Sequence, residues 1–342
     1  MDDIIRIGLD TSKHFFQVHG VNASEQVVLR RQLNRRQMEA FFTKLPGCEI
    51  GLEACGSSHH WGRWLEALGH KVKMMPAQLV KPYVQRNKND AADAEALCEA
   101  MSRPKMRFVP VKTEAQQADL MLMTHRERLL IERTRLSNAM RGHAAEFGYH
   151  IARGLAHLDD LLAELQVDTT LPERARMLFA RMDKDYQRLN QEVEEIEAEL
   201  LAWHKKDECS QRLDAIPGVG PVCSALLVMK VVDALAFKSG RDFAAWIGLT
   251  PKDHSTGGKL RLGSITRAGD ETLRSKLVAG ATAVIQHARR SGKGSPWLIG
   301  LLKRKPPKLV AIALANKTAR IAWKLMKTGE SYIDKSAQVE TA

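Results

Sequence analysis

At 342 residues, with 44% hydrophobic and 27% charged side chains, the chain has the composition of a globular protein with room for two or three domains. No apolar run approaches the ~20 residues of a membrane helix, and the acidic start "MDDIIRIGLD" does not read as a signal peptide, so a cytoplasmic protein with no membrane partner is expected. Five cysteines without a CxxC pair (Cys48, Cys55, Cys98, Cys209 and Cys223) suggest neither a disulfide framework nor a zinc site, while the formal net charge of +12 points towards a polyanionic partner.

In chain order, "DIIRIGLD", "HFFQVHGV" and "EQVVLRRQL" read as three strands separated by polar or glycine-containing turns. Asn34 then caps a helix through Leu45, and "CEIGLEA", a helix around Trp61 to Leu68, and "HKVKMMP" complete the order β-β-β-α-β-α-β. Hairpin-linked strands followed by alternating helix and strand predict a mixed sheet with helices on its faces, as in ribonuclease-H-like domains. The first strand ends on Asp10 and the fourth on Glu53.

"RNKNDAADAEALCEAM" follows, with Asp90 and Asp93 three residues apart at the start of a helix. One reading is structural: Asp90 as the N-cap and Asp93 in the first turn, both favoured by the positive end of the helix dipole. The other is functional, because a spacing of three puts both carboxylates on one face, where they can share a divalent cation. Asp10 and Glu53 also have bland readings, as a turn residue and a strand-end surface carboxylate. Taken together in this order, the four carboxylates Asp10, Glu53, Asp90 and Asp93 suggest a pocket whose repulsion is relieved by divalent cations, suited to a phosphodiester substrate.

Residues 113–149 and 182–203 read as long helices. In the second, Met182, Tyr186, Leu189, Val193, Ile196, Leu200 and Trp203 recur with heptad spacing, the seam of a coiled coil that either dimerises or folds back on the preceding helix. "LDAIPGVGPVCSALLV" has the form of a helix-hairpin-helix, in which Gly218 and Gly220 open a turn able to hold a backbone phosphate and Pro221 starts the next helix; an ordinary turn between helices is the alternative. Next, "WIGLTPKDHSTGGKLRLGSITRAGDETLRSKL" surrounds a glycine-rich loop with Lys252, Lys259, Arg261 and Arg267. A hydroxyl there is placed either as a nucleophile towards phosphorus or as part of a basic binding loop. Residues 241–330 hold 18 Lys and Arg against 5 Asp and Glu, so the basic half of the molecule is C-terminal, and nucleic acid is the simplest partner. "KRKPPK", residues 303–308, reads as a phosphate-contacting linker and the last dozen residues as a loose tail.

Read together, "GLDTSK", "GLEACGSSHHW", "NKNDAADAEAL", "IPGVGPVCSALL" and "GLTPKDHSTGGKLRLGSITRAGDETLR" resemble the insertion-sequence-110 transposases, in the branch with an "HSTGGK"-type loop, from about residue 4 to residue 327. The resemblance implies a RuvC-like ribonuclease-H-fold domain whose acidic tetrad is Asp10, Glu53, Asp90 and Asp93, a coiled coil, and a C-terminal transposase domain with a catalytic serine. Ser255 is the position that fits, with Thr256 as the fallback and Ser264 as a third choice. It also implies recombination of DNA guided by a structured noncoding RNA of the element, and a covalent serine link to DNA.

The expected organisation is therefore an α/β domain over residues 1–110, a helical coiled-coil oligomerisation region over 111–210, a helical transposase domain with the helix-hairpin-helix and serine loop over 211–330, and a tail over 331–342. The expected cofactor is Mg2+ or Mn2+; the expected partners are DNA, a guide RNA and further copies of the chain, as dimer or tetramer, at the bacterial nucleoid. Two other functions compete with this one. A metal-dependent structure-selective endonuclease would use water as the nucleophile, and a non-catalytic nucleic-acid-binding protein would keep the carboxylates for structure.

Overall fold

The alternation of apolar and polar residues at the N-terminus produces three strands, β1 (Ile4–Thr11), β2 (Phe15–Asn22) and β3 (Val27–Asn34), in a computed structural model that describes residues 4–84, 89–150, 154 and 157–333. Asn34 starts helix α1 (Arg35–Lys44) with a capping box: its side chain accepts the Gln37 N–H at 2.9 Å, and the Gln37 side chain accepts the Asn34 N–H at 3.0 Å. Then come β4 (Glu49–Glu53), α2 (Ser58–Ala67), β5 (Lys71–Met75), the short α3 (Ala77–Val80) and α4 (Asp90–Ala100).

These strands form one mixed sheet in the order β3-β2-β1-β4-β5, antiparallel across β3, β2 and β1 and parallel across β1, β4 and β5. The two faces follow from the period of two. Ile7, Leu9, Ile50 and Leu52 point to one side and pack with Met38 and Phe42 of α1 and Trp61 and Leu65 of α2. Gly8 and Gly51, paired directly across β1 and β4, lie on the other side, against α4. A mixed α/β sheet followed by a helical region is the predicted class, and its strand order is consistent with a RuvC-like domain.

The chain divides into two compact units, Met1–Gln117 and Ala118–Ala342. Helix α5 (Glu114–Ala145) begins in the first; α6 (Leu158–Val167) and α7 (Glu173–His204) lie in the second. The heptad positions of α7 are covered from within the chain: Leu189 and Val193 pack on Leu129 of α5, Tyr186 joins Met140 of α5 and Leu162 of α6, and Leu200 enters the core with Met123 of α5. Arg126 pairs with Glu197, and Arg133 donates to Asn190 at 3.2 Å, so α5 and α7 run antiparallel. Of the two outcomes expected for the seam, this is the fold-back.

Helices α8 (Glu208–Asp214) and α9 (Pro221–Lys230) follow, the latter with Pro221 at its first position, and then α10 (Gly240–Trp246). Buried His204, Ser210 and Ser224 tie α7, α8 and α9 together: the His204 ring meets the Ser210 hydroxyl at 2.8 Å, and that hydroxyl meets Ser224 at 3.0 Å. A two-stranded ribbon, β6 (Pro251–Asp253) and β7 (Leu262–Ile265), precedes α11 (Glu271–Ser291), α12 (Pro296–Leu302) and α13 (Pro307–Thr328). No described helix is long and apolar enough to cross a membrane. Residues 85–88, which include the first three of the "RNKND" stretch, and residues 334–342 of the expected tail lie outside the described residues.

Candidate active site

The tetrapeptides "IGLD" and "IGLE" lie at the C-terminal ends of β1 and β4, and the register that pairs Gly8 with Gly51 and Leu9 with Leu52 brings Asp10 and Glu53 to the same end of the sheet. Being two residues beyond the glycines, both carboxylates fall on the α4 side. The glycines let α4 approach. A Cβ at Gly8 would lie 2.0 Å from the Ala94 carbonyl oxygen and 2.5 Å from the Cys98 nitrogen, and one at Gly51 would lie 2.7 Å from the Met101 sulfur. Only a bare backbone admits the helix at this distance.

Helix α4 starts at Asp90, capped by Asn89, whose side chain accepts the Ala92 N–H at 2.9 Å. The expectation of Asp90 as the cap is corrected by one residue: Asn89 satisfies the helix end, which leaves the Asp90 carboxylate available. Asp93 sits one turn on, on the same face. Carboxylate oxygens of Asp10, Asp90 and Asp93 all lie within 4.8 Å of one another. Glu53 is outside that group of three, but its charge acts on Asp10. Burial, followed by repulsion from Asp90, Asp93 and Glu53, raises the Asp10 pKa to about 6. Hard oxygen donors that repel one another in a half-buried site fit a hard divalent cation.

In the second unit, Thr256-Gly257-Gly258-Lys259 closes the β6–β7 ribbon. Gly257 (φ +56°) and Gly258 (φ +75°) are both left-handed, as a primed two-residue turn requires, and the Lys259 N–H reaches the Thr256 carbonyl at 3.0 Å. Ser255 is exposed just before this turn. Its N–H donates to the Asp253 carboxylate at 2.8 Å and its hydroxyl oxygen accepts the Arg261 N–H at 3.0 Å. Hydrogen bonds from the Ser255 hydroxyl and N–H also hold the Asp253 pKa below the usual carboxylate value. Lys252, Lys259, Arg261 and Arg267 are exposed on the same ribbon and its root. The root is closely packed: Gly269 approaches the Trp246 carbonyl so closely that a Cβ would sit 1.9 Å from it, Arg267 takes a left-handed φ of +56°, and buried Arg274 donates to Ile247 O at 3.0 Å and Ala268 O at 2.9 Å.

A profile described as the transposase IS116/IS110/IS902 family matches residues 210–294, and one for the DEDD-type IS110 transposases matches residues 7–148. A putative transposase, y4pF/y4sB, of Sinorhizobium fredii is 60% identical over 344 residues, covering 100% of this chain and 89% of its own length. The chain belongs to the IS116/IS110/IS902 family of transposases. A probable family 20 transposase of Pseudomonas aeruginosa is 46% identical, covering 96% of this chain and 99% of its own. The transposase for insertion sequence element IS1328 of Yersinia enterocolitica is 40% identical, with 96% and 98% covered. As a transposase the chain acts on DNA, and the carboxylate cluster lies within the stretch matched by the DEDD profile.

Within this transposase, Asp10, Asp90 and Asp93 come together, with Glu53 on the strand beside them. Ser255, Lys252, Lys259 and Arg261 share the ribbon, with Arg267 at its root; Thr256 lies in its turn and Ser264 on β7. Gly220 is exposed as the N-cap of α9, whereas Gly218 packs on α11, where a Cβ on Gly280 would meet its carbonyl at 1.8 Å. Sequence reasoning missed two sets of residues. The pair Gly8 and Gly51 was signalled by the repeated "IGL" before each acid, and Asp253 by its place two residues before Ser255, the spacing of an Asx turn.

Proposed function

We propose that this transposase cuts and rejoins DNA through the Ser255 hydroxyl, with a divalent cation, Mg2+ or Mn2+, held by Asp10, Asp90 and Asp93 and flanked by Glu53. The observation that carries the reading is the convergence of three carboxylates within 4.8 Å on a surface of bare glycine backbone. When bound, the cation supplies charge neutralisation and Lewis acidity at a phosphodiester.

Asp253 and the Arg261 N–H orient the Ser255 hydroxyl, and that N–H also favours negative charge on the oxygen as it reacts. Attack of the oxygen on phosphorus forms a phosphoserine and breaks the bond to a 3′-oxygen, which leaves as a 3′-hydroxyl. Attack by a second 3′-hydroxyl reverses the step, so strand exchange needs no external energy source. Lys252, Lys259, Arg261 and Arg267 neutralise the phosphate, and the turn around Gly218 and Gly220 grips the backbone without reading sequence. A noncoding guide RNA directs the reaction, a reading that rests on the resemblance to the family and on the basic C-terminal half. Two element ends must be handled at once, which calls for a dimer or tetramer, assembled at the nucleoid in the cytoplasm.

The test is to trap protein on DNA during strand exchange. Ser255→Ala is expected to abolish both the covalent adduct and exchange, and Asp90→Asn with Asp93→Asn to abolish cleavage. Cleavage that survives Ser255→Ala but not Asp10→Asn would identify a metal-dependent endonuclease with water as nucleophile.

A further inference from the structure

Residues 272–329 contain 13 Lys and Arg and no Asp or Glu. They form α11, α12 and α13, joined through Ile285, Ala288, Leu298, Val310 and Ala311. With no acid in these helices beyond Glu271 at the first position of α11, relief must come from elsewhere, and it reaches few positions: Lys276 pairs with Glu127 at 3.0 Å and Lys324 with Glu330 at 2.8 Å. Among the described residues no carboxylate pairs with Arg289, Arg290, Lys293, Lys303, Lys305 or Lys308. Those six lie just before and after α12. On α12 itself is Trp297, 41% exposed, with the Lys317 ammonium of α13 at 4.4 Å from its ring centroid. The cation and the packing of neighbouring Leu298 hold the ring in place, so it presents a flat apolar surface between two runs of unpaired positive charge.

A ligand for this surface must be planar and aromatic to replace water on the indole, and must carry closely spaced negative charges to meet the cations. An unpaired DNA strand meets both demands; a duplex, with its bases stacked inside, meets only the second. We propose that Trp297, backed by Lys317, is a stacking site for an unpaired base of a DNA strand, with the cations on either side of α12 holding the flanking phosphates. The choice of DNA rests on the assignment as a transposase; the stacking rests on the Trp297 geometry alone and uses neither Ser255 nor the carboxylates.

The experiment is fluorescence anisotropy of the full-length protein with a short fluorescein-labelled oligothymidylate in EDTA, against a duplex of equal length. Trp297→Ala is expected to weaken single-strand binding about tenfold, or ~1.4 kcal/mol, the size of effect expected for the loss of one stacked base. Duplex binding and the salt slope should be unchanged, and Trp297→Phe, which keeps a ring and guards against a folding defect, should retain most of the affinity. Unchanged single-strand binding in Trp297→Ala, or an equal loss on duplex, overturns the proposal. So does tenfold tighter, Trp297-dependent binding of oligouridylate, which would make this an RNA site. Loss of the serine adduct reading would leave these affinities untouched, so the two failures are distinguishable.

Discussion

The carboxylate cluster and the serine ribbon are built in opposite ways. Asp10, Asp90 and Asp93 come from a strand and a helix eighty residues apart in sequence and are fixed by packing: α4 lies on Gly8 and Gly51 with no room for one more carbon. Ser255, Asp253 and Arg261 lie within nine residues of chain, are exposed, and are fixed by turn geometry and three short-range hydrogen bonds. A site held by packing is sensitive to volume. A site held by a turn is sensitive to backbone conformation and hardly at all to the core.

The largest effect should come from the glycine that positions α4. Gly8→Val must push the Ala94 carbonyl away, and overpacking of this kind costs about 3 kcal/mol or more. The expectation is a lower urea midpoint together with loss of divalent-cation binding by titration calorimetry; retention of both would show that α4 is not held as described. If Asp10 holds the proposed cation directly, Asp10→Asn should leave the fold intact but lower strand cleavage at least about a hundredfold, more than the 10–100-fold typical of outer-shell partners. Gel assays of cleavage at saturating metal check this.

Next in size is a pH effect of defined sign. The Asp10 carboxyl has a folded-state pKa of about 6, above its unfolded value near 3.9, so the folded state holds a proton that the unfolded chain releases. Its contribution is therefore full below about pH 4 and is lost as pH rises through about 6. Metal-free protein should show a falling contribution to Tm across that window, and the Asp10→Asn variant a flatter profile; metal affinity should rise over the same window because binding requires the deprotonated form. A metal-free profile unaltered by Asp10→Asn would remove the coupling among the carboxylates.

Two smaller effects probe the ribbon. Replacing Gly257 and Gly258 by alanine puts side chains at φ +56° and +75°, at a cost of about 1 kcal/mol each that falls on the hairpin alone. Strand exchange should fall while the global Tm by calorimetry stays within a degree or so. The smallest change is Asp253→Asn, which keeps an oxygen for the Ser255 N–H but removes the charge; a fall in exchange of up to about tenfold with unchanged DNA affinity marks it as a positioning residue.

The two kinds of construction also explain what the sequence discloses. Strand β1 was legible from its alternation, α1 from the Asn34–Gln37 capping pair, and the Asp90–Asp93 pair from helical spacing, since each depends on neighbours in the chain. The approach of α4 to Gly8 was not, because a glycine in a strand looks the same whether it faces water or another backbone. The heptad of α7 was visible as a seam, but a seam does not name its partner, and α5 and α6 proved to fill it. The cap of α4 lies one residue earlier because Asn89 and Asp90 are both good caps, and it is the Asn89 side chain that accepts the Ala92 N–H.

The docking of α4 also sets the order in which the cluster can be assembled. All five strands of the sheet, with Asp10 and Glu53 on neighbouring strands, precede α4 in the chain, and two of the three clustered carboxylates come after them. Because α4 brings Asp90 and Asp93 to Asp10 by settling onto the glycine pair, a prematurely terminated product ending before Asn89 would lack two of the three carboxylates on which the proposed metal site depends.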